Sequence, residues 1–275
     1  MKKKIIVVGK RSFIGLNIYK YFKKNKIKVV ILSYKSFLKK NIFFIKKFNY
    51  LINCSTNFNY INNAYQKNND QDLIIAKKIF NTDCKLVFLG TRKIYQSKYN
   101  IKENGKKRPK CNYSRNKLIT EKSLNKVLKN KVLILRISNV IGLPKKNKER
   151  LHDTFINIFL KNVKKGIIFE NKNIYKDFLS IEKFCEIILK LIELNCNGVY
   201  NISLGKKIYL NQIIKWLNNY NDNQNKLMKL NNNFITDSFT LNNKKLMNKI
   251  KITNNLKELK ESCIQLSKKI FINEK

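Results

Sequence analysis

The first 140 residues alternate short, unbroken apolar runs with stretches of helical periodicity, and few folds accept that rhythm. Ile5-Ile6-Val7-Val8 ends at Gly9, after which Leu16, Ile18, Tyr19 and Phe22 recur at helical spacing. Val29-Val30-Ile31-Leu32, Tyr50-Leu51-Ile52-Asn53, Leu86-Val87-Phe88-Leu89 and Val132-Leu133-Ile134-Leu135-Arg136-Ile137 repeat the strand type. Residues 70–80 and 114–129 supply helices between them. Strands without polar alternation signal cover on both faces, and strand–helix–strand links keep neighbours parallel. The pattern predicts an α/β fold built on a doubly wound parallel sheet, with residues 28–32 also covered on both faces.

After Gly142 the rhythm loosens. Residues 155–165, 184–194 and 210–219 read as helices, residues 198–202 as a strand, and the Asn-rich residues 218–233 as a loop. Phe184, Ile187, Ile188 and Leu191 form a packing stripe on the second of these helices, with a dimer interface as its other possible use. Two units are expected. Residues 1–143 form a dinucleotide-sized domain, and residues 144–275 form a mixed segment that returns to the sheet and builds a small C-terminal substrate-binding lobe.

A formal net charge of +42 invites a nucleic-acid partner. Of the 59 basic residues, however, 53 are Lys and only 6 are Arg, while 42 residues are Asn, which marks a compositional bias. Arg is the side chain that reads phosphates and bases bidentately, and it is scarce here. The lysines are scattered, as at Lys23-Lys24, Lys106-Lys107 and Lys268-Lys269, so the field favours phosphorylated ligands without defining a nucleic-acid surface. The six cysteines have no metal-ligand spacing and only His152 to assist them, an imidazole expected to be exposed or helix-capping. No apolar run approaches the ~18 residues a membrane span needs, and the run at residues 5–8 is too short for a signal peptide. A cytoplasmic chain without membrane insertion is the expectation.

Gly9 and Gly15 bracket a strand-to-helix turn, the place where such sheets hold a pyrophosphate, although an ordinary connection could carry the same glycines. Ser12 stands between them, where a middle glycine is usual. After the second strand no acid follows to take ribose hydroxyls. Ser33 and Lys35 are there instead, and they suit a 2′-phosphate, favouring NADP over NAD. Tyr113 and Lys117 are four apart at the start of a helix, so phenol and ammonium share a face. A cation beside a phenol lets it exchange a proton nearer neutrality. Tyr19 and Lys23 repeat the spacing by chance, but only Tyr113 follows a strand-end threonine, Thr91.

Taken in order, these segments resemble the extended short-chain dehydrogenase/reductases that act as NAD(P)-dependent nucleotide-sugar epimerases, dehydratases and reductases. The resemblance rests on residues 5–15, on Asn53-Cys54-Ser55 beside the adenine, on residues 86–95, on Tyr113 to Lys117 with Glu121, on residues 135–142, on Lys176-Asp177, and on residues 198–202. It implies a Rossmann-type domain in which Gly9, Arg11, Ser12, Phe13, Ile14, Gly15, Ser33, Lys35, Asn53, Cys54, Ser55 and Lys117 hold NADP or NAD. It further implies that Thr91 polarises a sugar oxygen, Tyr113 exchanges its proton, and Lys117 binds the nicotinamide ribose and lowers the tyrosine pKa. Asn139 and Lys176 would contact substrate, and Asp177 would lie near the sugar lobe.

The function so implied is a 4-keto-sugar reductase in surface polysaccharide precursor synthesis, working as a homodimer on a nucleoside-diphosphate sugar. Residues 237–246 resemble a segment of dehydrorhamnose-type reductases and favour that reading. A 4-epimerase with retained NAD is the alternative, as is a non-enzymatic cofactor- or nucleic-acid-binding protein. A dehydratase ranks last, because Arg92 and Lys93 stand where it needs an acid pair.

Overall fold

The computed structural model describes residues 3–142, 155–165, 167–170, 174–221, 226–229 and 237–272. His152 lies outside them. The first half runs β1 (Lys4–Val8), α1 (Phe13–Lys24), β2 (Lys28–Leu32), α2 (Tyr34–Leu38), α3 (Ile42–Lys46), β3 (Tyr50–Asn53), α4 (Phe58–Asn62), α5 (Gln71–Ile79), β4 (Lys85–Thr91), α6 (Asn112–Leu128) and β5 (Val132–Ile137). There follow β6 (Asn139–Ile141), α7 (Phe155–Lys164), β7 (Ile167–Glu170), β8 (Tyr175–Lys176), β9 (Phe178–Ser180), α8 (Ile181–Glu193) and β10 (Gly198–Ile202). The chain closes with β11 (Ile208–Tyr209), α9 (Leu210–Leu217), β12 (Lys226–Lys229), α10 (Lys244–Ile250) and α11 (Leu256–Phe271).

A six-stranded parallel sheet in the order β2-β1-β3-β4-β5-β10 carries the molecule. Alternate residues of each strand face opposite sides, which divides the core into two layers. Ile5, Val7, Tyr50 and Ile52 pack with Phe22 of α1 and Phe184 and Ile188 of α8. Ile6, Val8, Leu51 and Phe88 pack with Phe37, Ile75 and Leu124 on the other side. The expected rhythm is therefore the observed one, with one correction. β2 is the edge strand, and Ile31 and Leu32 are only half-buried because no strand lies beyond them.

The stripe of Phe184, Ile187, Ile188 and Leu191 is fully buried against the chain's own sheet and α1, so it does not serve as a dimer interface. A third cluster, with Phe178, Ile208, Ile213, Leu217 and Cys263, forms the core of the smaller lobe. That lobe is laced by three two-stranded pairings: β6 with β9, β8 with β11, and β7 with β12. The last of these corrects the reading of residues 218–233 as a loop. Residues 226–229 pair in parallel with β7, so a ladder partner overrides a weak local propensity. Among the described residues no helix is long and apolar enough to cross a membrane.

Candidate active site

From β1 the chain passes to β2 on one side, and β3 joins β1 on the other, so a topological switch point lies at the carboxyl ends of β1 and β3. In open α/β sheets the crevice at such a point takes the ligand. Gly9 is there, at φ 124°, and a Cβ on it would fall 2.9 Å from the Cys54 carbonyl carbon. A Cβ on Gly15 would fall 2.7 Å from the Gly9 oxygen. Both positions are thus closed to any side chain. Ser12 has φ −73°, which needs no glycine, and its Oγ accepts the Gly15 N–H at 3.0 Å as the N-cap of α1.

The first turn of α1 contains no acid, Arg11 is exposed beside it, and Phe13 and Ile14 are half-buried at its base. A twelve-residue helix aimed at the switch point with no anion in its first turn fits a dinucleotide pyrophosphate.

Beyond β2, Ser33 caps α2: its Oγ accepts from Ser36 N at 3.0 Å and lies 2.7 Å from Ser36 Oγ. Lys35 is exposed on that helix. The short span before Tyr50 is filled by α2 and α3. At the end of β3, the buried Asn53 organises the next turn. Its Oδ1 accepts from Ser55 N at 3.0 Å and from Ser55 Oγ at 2.6 Å, and its Nδ2 donates to Asp72 at 2.8 Å. Burial pushes the Cys54 thiol far up, so this cysteine is an inert wall of the glycine turn.

Thr91 ends β4, nine-tenths buried, with its Oγ1 accepting the Lys93 N–H at 3.2 Å. α6, which carries Tyr113 and Lys117, packs on the short turn of Arg92–Ile94 that follows Thr91. Lys117 is buried and its Nζ donates to Asp72 Oδ2 at 3.0 Å. It also lies 4.5 Å from the Phe88 ring centroid and 5.7 Å from that of Tyr60. Burial pulls the ammonium down, but the Asp72 carboxylate and the Tyr113 oxygen together hold it above the usual lysine range; burial likewise pushes the Asp72 carboxyl up, against the pull of Lys117 and Asn53. Burial pushes the Tyr113 phenol up; Lys117 pulls it down, and Asp72 pushes it up again.

Asp72 was not visible as a site residue from the sequence. Its signal is a carboxylate on the buried face of α5, beside Leu73, Ile75 and Ala76, in a chain with only 17 acids.

A second cluster lies in the smaller lobe. Arg92 is buried and grips Asp237 with both terminal nitrogens, and Ser97 Oγ donates to the same carboxylate. Lys176 is half-buried close by: burial pulls its ammonium down, Asp237 pulls it up, and Arg92 and Lys93 push it down. Arg92, Asp237 and Lys176 therefore converge next to Thr91, although 145 residues separate Arg92 from Asp237. Asn139 joins β6 to the lobe, its Nδ2 donating to the Asp177 carbonyl at 3.1 Å.

Asp177 itself is fully buried and does not face a ligand. Its carboxylate accepts the backbone N–H groups of Leu204, Gly205 and Leu241 at 3.0–3.1 Å. Glu121 pairs with Arg136 inside the domain, which makes it structural. Among the described residues no group of three metal-ligating side chains occurs.

The fold and this edge of the sheet define a dinucleotide-dependent enzyme. The model of the NAD dependent epimerase/dehydratase family matches residues 5–203, and the chain belongs to that family. The family makes it NAD(P)-dependent, in keeping with the turn at Gly9 and Gly15. No curated protein matches the sequence.

Among solved structures it is similar to a UDP-N-acetylglucosamine 4-epimerase from Methanobrevibacter ruminantium in complex with UDP-N-acetylmuramic acid, at 19% identity and TM-score 0.78 over 100% of both chains. A dTDP-4-dehydrorhamnose reductase from Clostridium acetobutylicum is similar at 16% identity and TM-score 0.73, covering 98% of this chain and 99% of that one. A dTDP-glucose 4,6-dehydratase from Bacillus anthracis in complex with NAD is similar at 17% identity and TM-score 0.74, covering 97% of each.

Proposed function

We propose that the chain is an NAD-dependent epimerase of a nucleoside-diphosphate sugar, inverting a ring carbon that bears a hydroxyl. The observation that supports this reading is that Tyr113 and Lys117 lie together on α6, which packs on the turn directly after Thr91, with Arg92 and Lys176 close to one another beyond that turn. The nicotinamide, when bound, supplies reversible hydride transfer. Tyr113 takes the hydroxyl proton of the reacting carbon and returns it, Thr91 Oγ1 hydrogen-bonds the same oxygen, and Lys117 offers its remaining donors to the cofactor ribose. The scattered lysines draw the diphosphate toward the cleft.

Support comes from the family model and from the similar fold of a nucleotide-sugar 4-epimerase. NAD, kept on the enzyme through the cycle, suits inversion. The engagement of Ser33 in capping α2 leaves Lys35 as the one residue of the pair available to a 2′-phosphate.

A 4-keto-sugar reductase is the second reading, favoured by residues 237–246, which resemble a reductase segment and supply Asp237 to the edge next to Thr91. One panel separates the two. The enzyme is given 4-hydroxy and 4-keto nucleotide sugars with NAD(H) or NADP(H), and both reduced-nicotinamide absorbance and sugar configuration are followed. Inversion without net absorbance change supports the epimerase; net oxidation of the cofactor supports the reductase. Turnover that survives Tyr113→Phe undiminished removes both.

A further inference from the structure

We propose that Asp72 is a positioning residue for the Tyr113–Lys117 pair: its carboxylate clamps the Lys117 ammonium, cancels that charge, and thereby sets the pH at which Tyr113 exchanges its proton. The inference rests on the proposed role of Tyr113 in the reaction. Lys117 Nζ is 3.0 Å from Asp72 Oδ2, and the other oxygen, Oδ1, is held at 2.8 Å by Asn53 Nδ2. Both charged side chains are more than nine-tenths buried, where a charge acts over longer range than in water.

Asp72 is fixed from several sides. α5 carries it on its buried face, and Asn53 anchors it to the end of β3, next to the glycine turn. Asp70, which caps α5, is itself occupied: Thr120 Oγ1 donates to it at 2.6 Å and Tyr65 OH at 2.9 Å. Asp72 is therefore left to face the lysine.

Around the phenol, α6 contributes Lys117 and Cys111, α5 contributes Asp72, and α4 contributes Tyr60. Around the Asp72–Lys117 pair, Asp70, Cys54 and Tyr34 complete the titratable neighbours. Cys111 in turn faces Lys93 and Arg115. Burial drives the phenols of Tyr34 and Tyr60 and the Cys54 thiol up, as it does the phenol of Tyr113 itself. Among the described residues Lys117 is the cation that pulls the Tyr113 phenol down, and Asp72 is an anion that opposes it. With Asp72 made neutral, a Lys117 that stays protonated beside the Phe88 and Tyr60 ring faces acts on the phenol unopposed.

The test is an ultraviolet difference titration of Tyr113, each protein read against its own Tyr113→Phe counterpart, since the chain has 13 tyrosines. D72N is expected to lower the Tyr113 midpoint by about one pH unit or more, a tenfold gain in phenolate. The acid limb of the oxidative half-reaction moves down with it, while KM for the nucleotide sugar stays within about twofold. An unchanged midpoint in folded D72N overturns the proposal.

If D72N strands the lysine and does not fold, the double variant D72N/K117M removes both charges, a change buried pairs often tolerate. Its Tyr113 midpoint is expected to match wild type. A midpoint raised by about a unit means the lysine charge had not been cancelled, and overturns the proposal. The titration needs no turnover, so a moved midpoint in a protein that converts no nucleotide sugar sinks the proposed function alone. Turnover with an unmoved midpoint sinks only the role of Asp72.

Discussion

Arg92 and Asp237, 145 residues apart in the chain, meet as a two-pronged ion pair in which the guanidinium also stacks 3.8 Å from the Phe239 ring centroid. The pair docks residues 237–242 onto the end of β4. Burial alone would push Asp237 up, but Arg92 and Ser97 hold it at about 2. Because the folded value lies below the ordinary one, the contact contributes stability above about pH 4 and loses it as pH falls through about 2.

D237N is expected to loosen this docking at neutral pH, at a cost of no more than ~1 kcal/mol, since the carboxylate is 40% exposed. Hydrogen exchange at the amides of Ile101 and Asn242, which bond across the docked segment, reads it. Equal protection in variant and wild type would show that the pair holds nothing in place.

Neither Arg92–Asp237 nor Asp72–Lys117 could be read from sequence, and the reason is the same. Each is a single contact between distant segments, which leaves no periodic trace. What was legible is what repeats. The runs at β1, β3, β4 and β5 are apolar throughout because helices cover both faces, and the strands bury Ile5, Leu51, Phe88 and Ile134 fully. Thr91, Tyr113 and Lys117 were legible as a spacing on a predicted strand and helix. β12 was hidden because Lys226-Leu227-Met228-Lys229 has no β-branched residue, and its strand character comes from β7.

Asp177 ties three separate backbone segments together, and its loss should be felt across the smaller lobe. D177N leaves at least one of the Leu204, Gly205 and Leu241 N–H groups without an acceptor, at an expected cost of about 2–3 kcal/mol. Burial pushes the carboxyl up to about 7 in spite of these donors. Between about pH 4 and about pH 7 the folded chain therefore keeps a proton that the unfolded chain releases, and stability from this group declines as pH rises through that window. Urea midpoints at about pH 5 and about pH 8 should differ less in D177N than in wild type. The same pH slope in both proteins would assign it elsewhere.

Glu121 and Arg136 are 6% and 4% exposed, so truncating either one leaves a charge buried. E121A should cost about 3–5 kcal/mol, softened by the Arg136 bonds to Tyr95 OH and the Glu103 carbonyl. The double variant E121L/R136M should cost less than E121A alone, because it removes both charges. Denaturant unfolding of the three proteins gives the comparison. A double variant less stable than E121A would mean that the pair contributes net stability beyond mutual neutralisation.

The glycine turn separates backbone need from capping need. Gly9→Ala puts a side chain at φ 124° and 2.9 Å from the Cys54 carbonyl carbon, so it must move either the turn or the end of β3. A cost of about 1–3 kcal/mol in stability is expected, together with a marked loss of dinucleotide affinity by calorimetry. Ser12 has no such constraint, because its φ is −73° and its contribution is the bond to Gly15 N. Ser12→Ala should therefore cost about 1 kcal/mol and Ser12→Gly only a few tenths, with the glycine variant keeping its dinucleotide affinity. Thermal melts with and without NAD rank the three. If Ser12→Gly were as damaging as Gly9→Ala, the serine hydroxyl would be holding something other than the helix start.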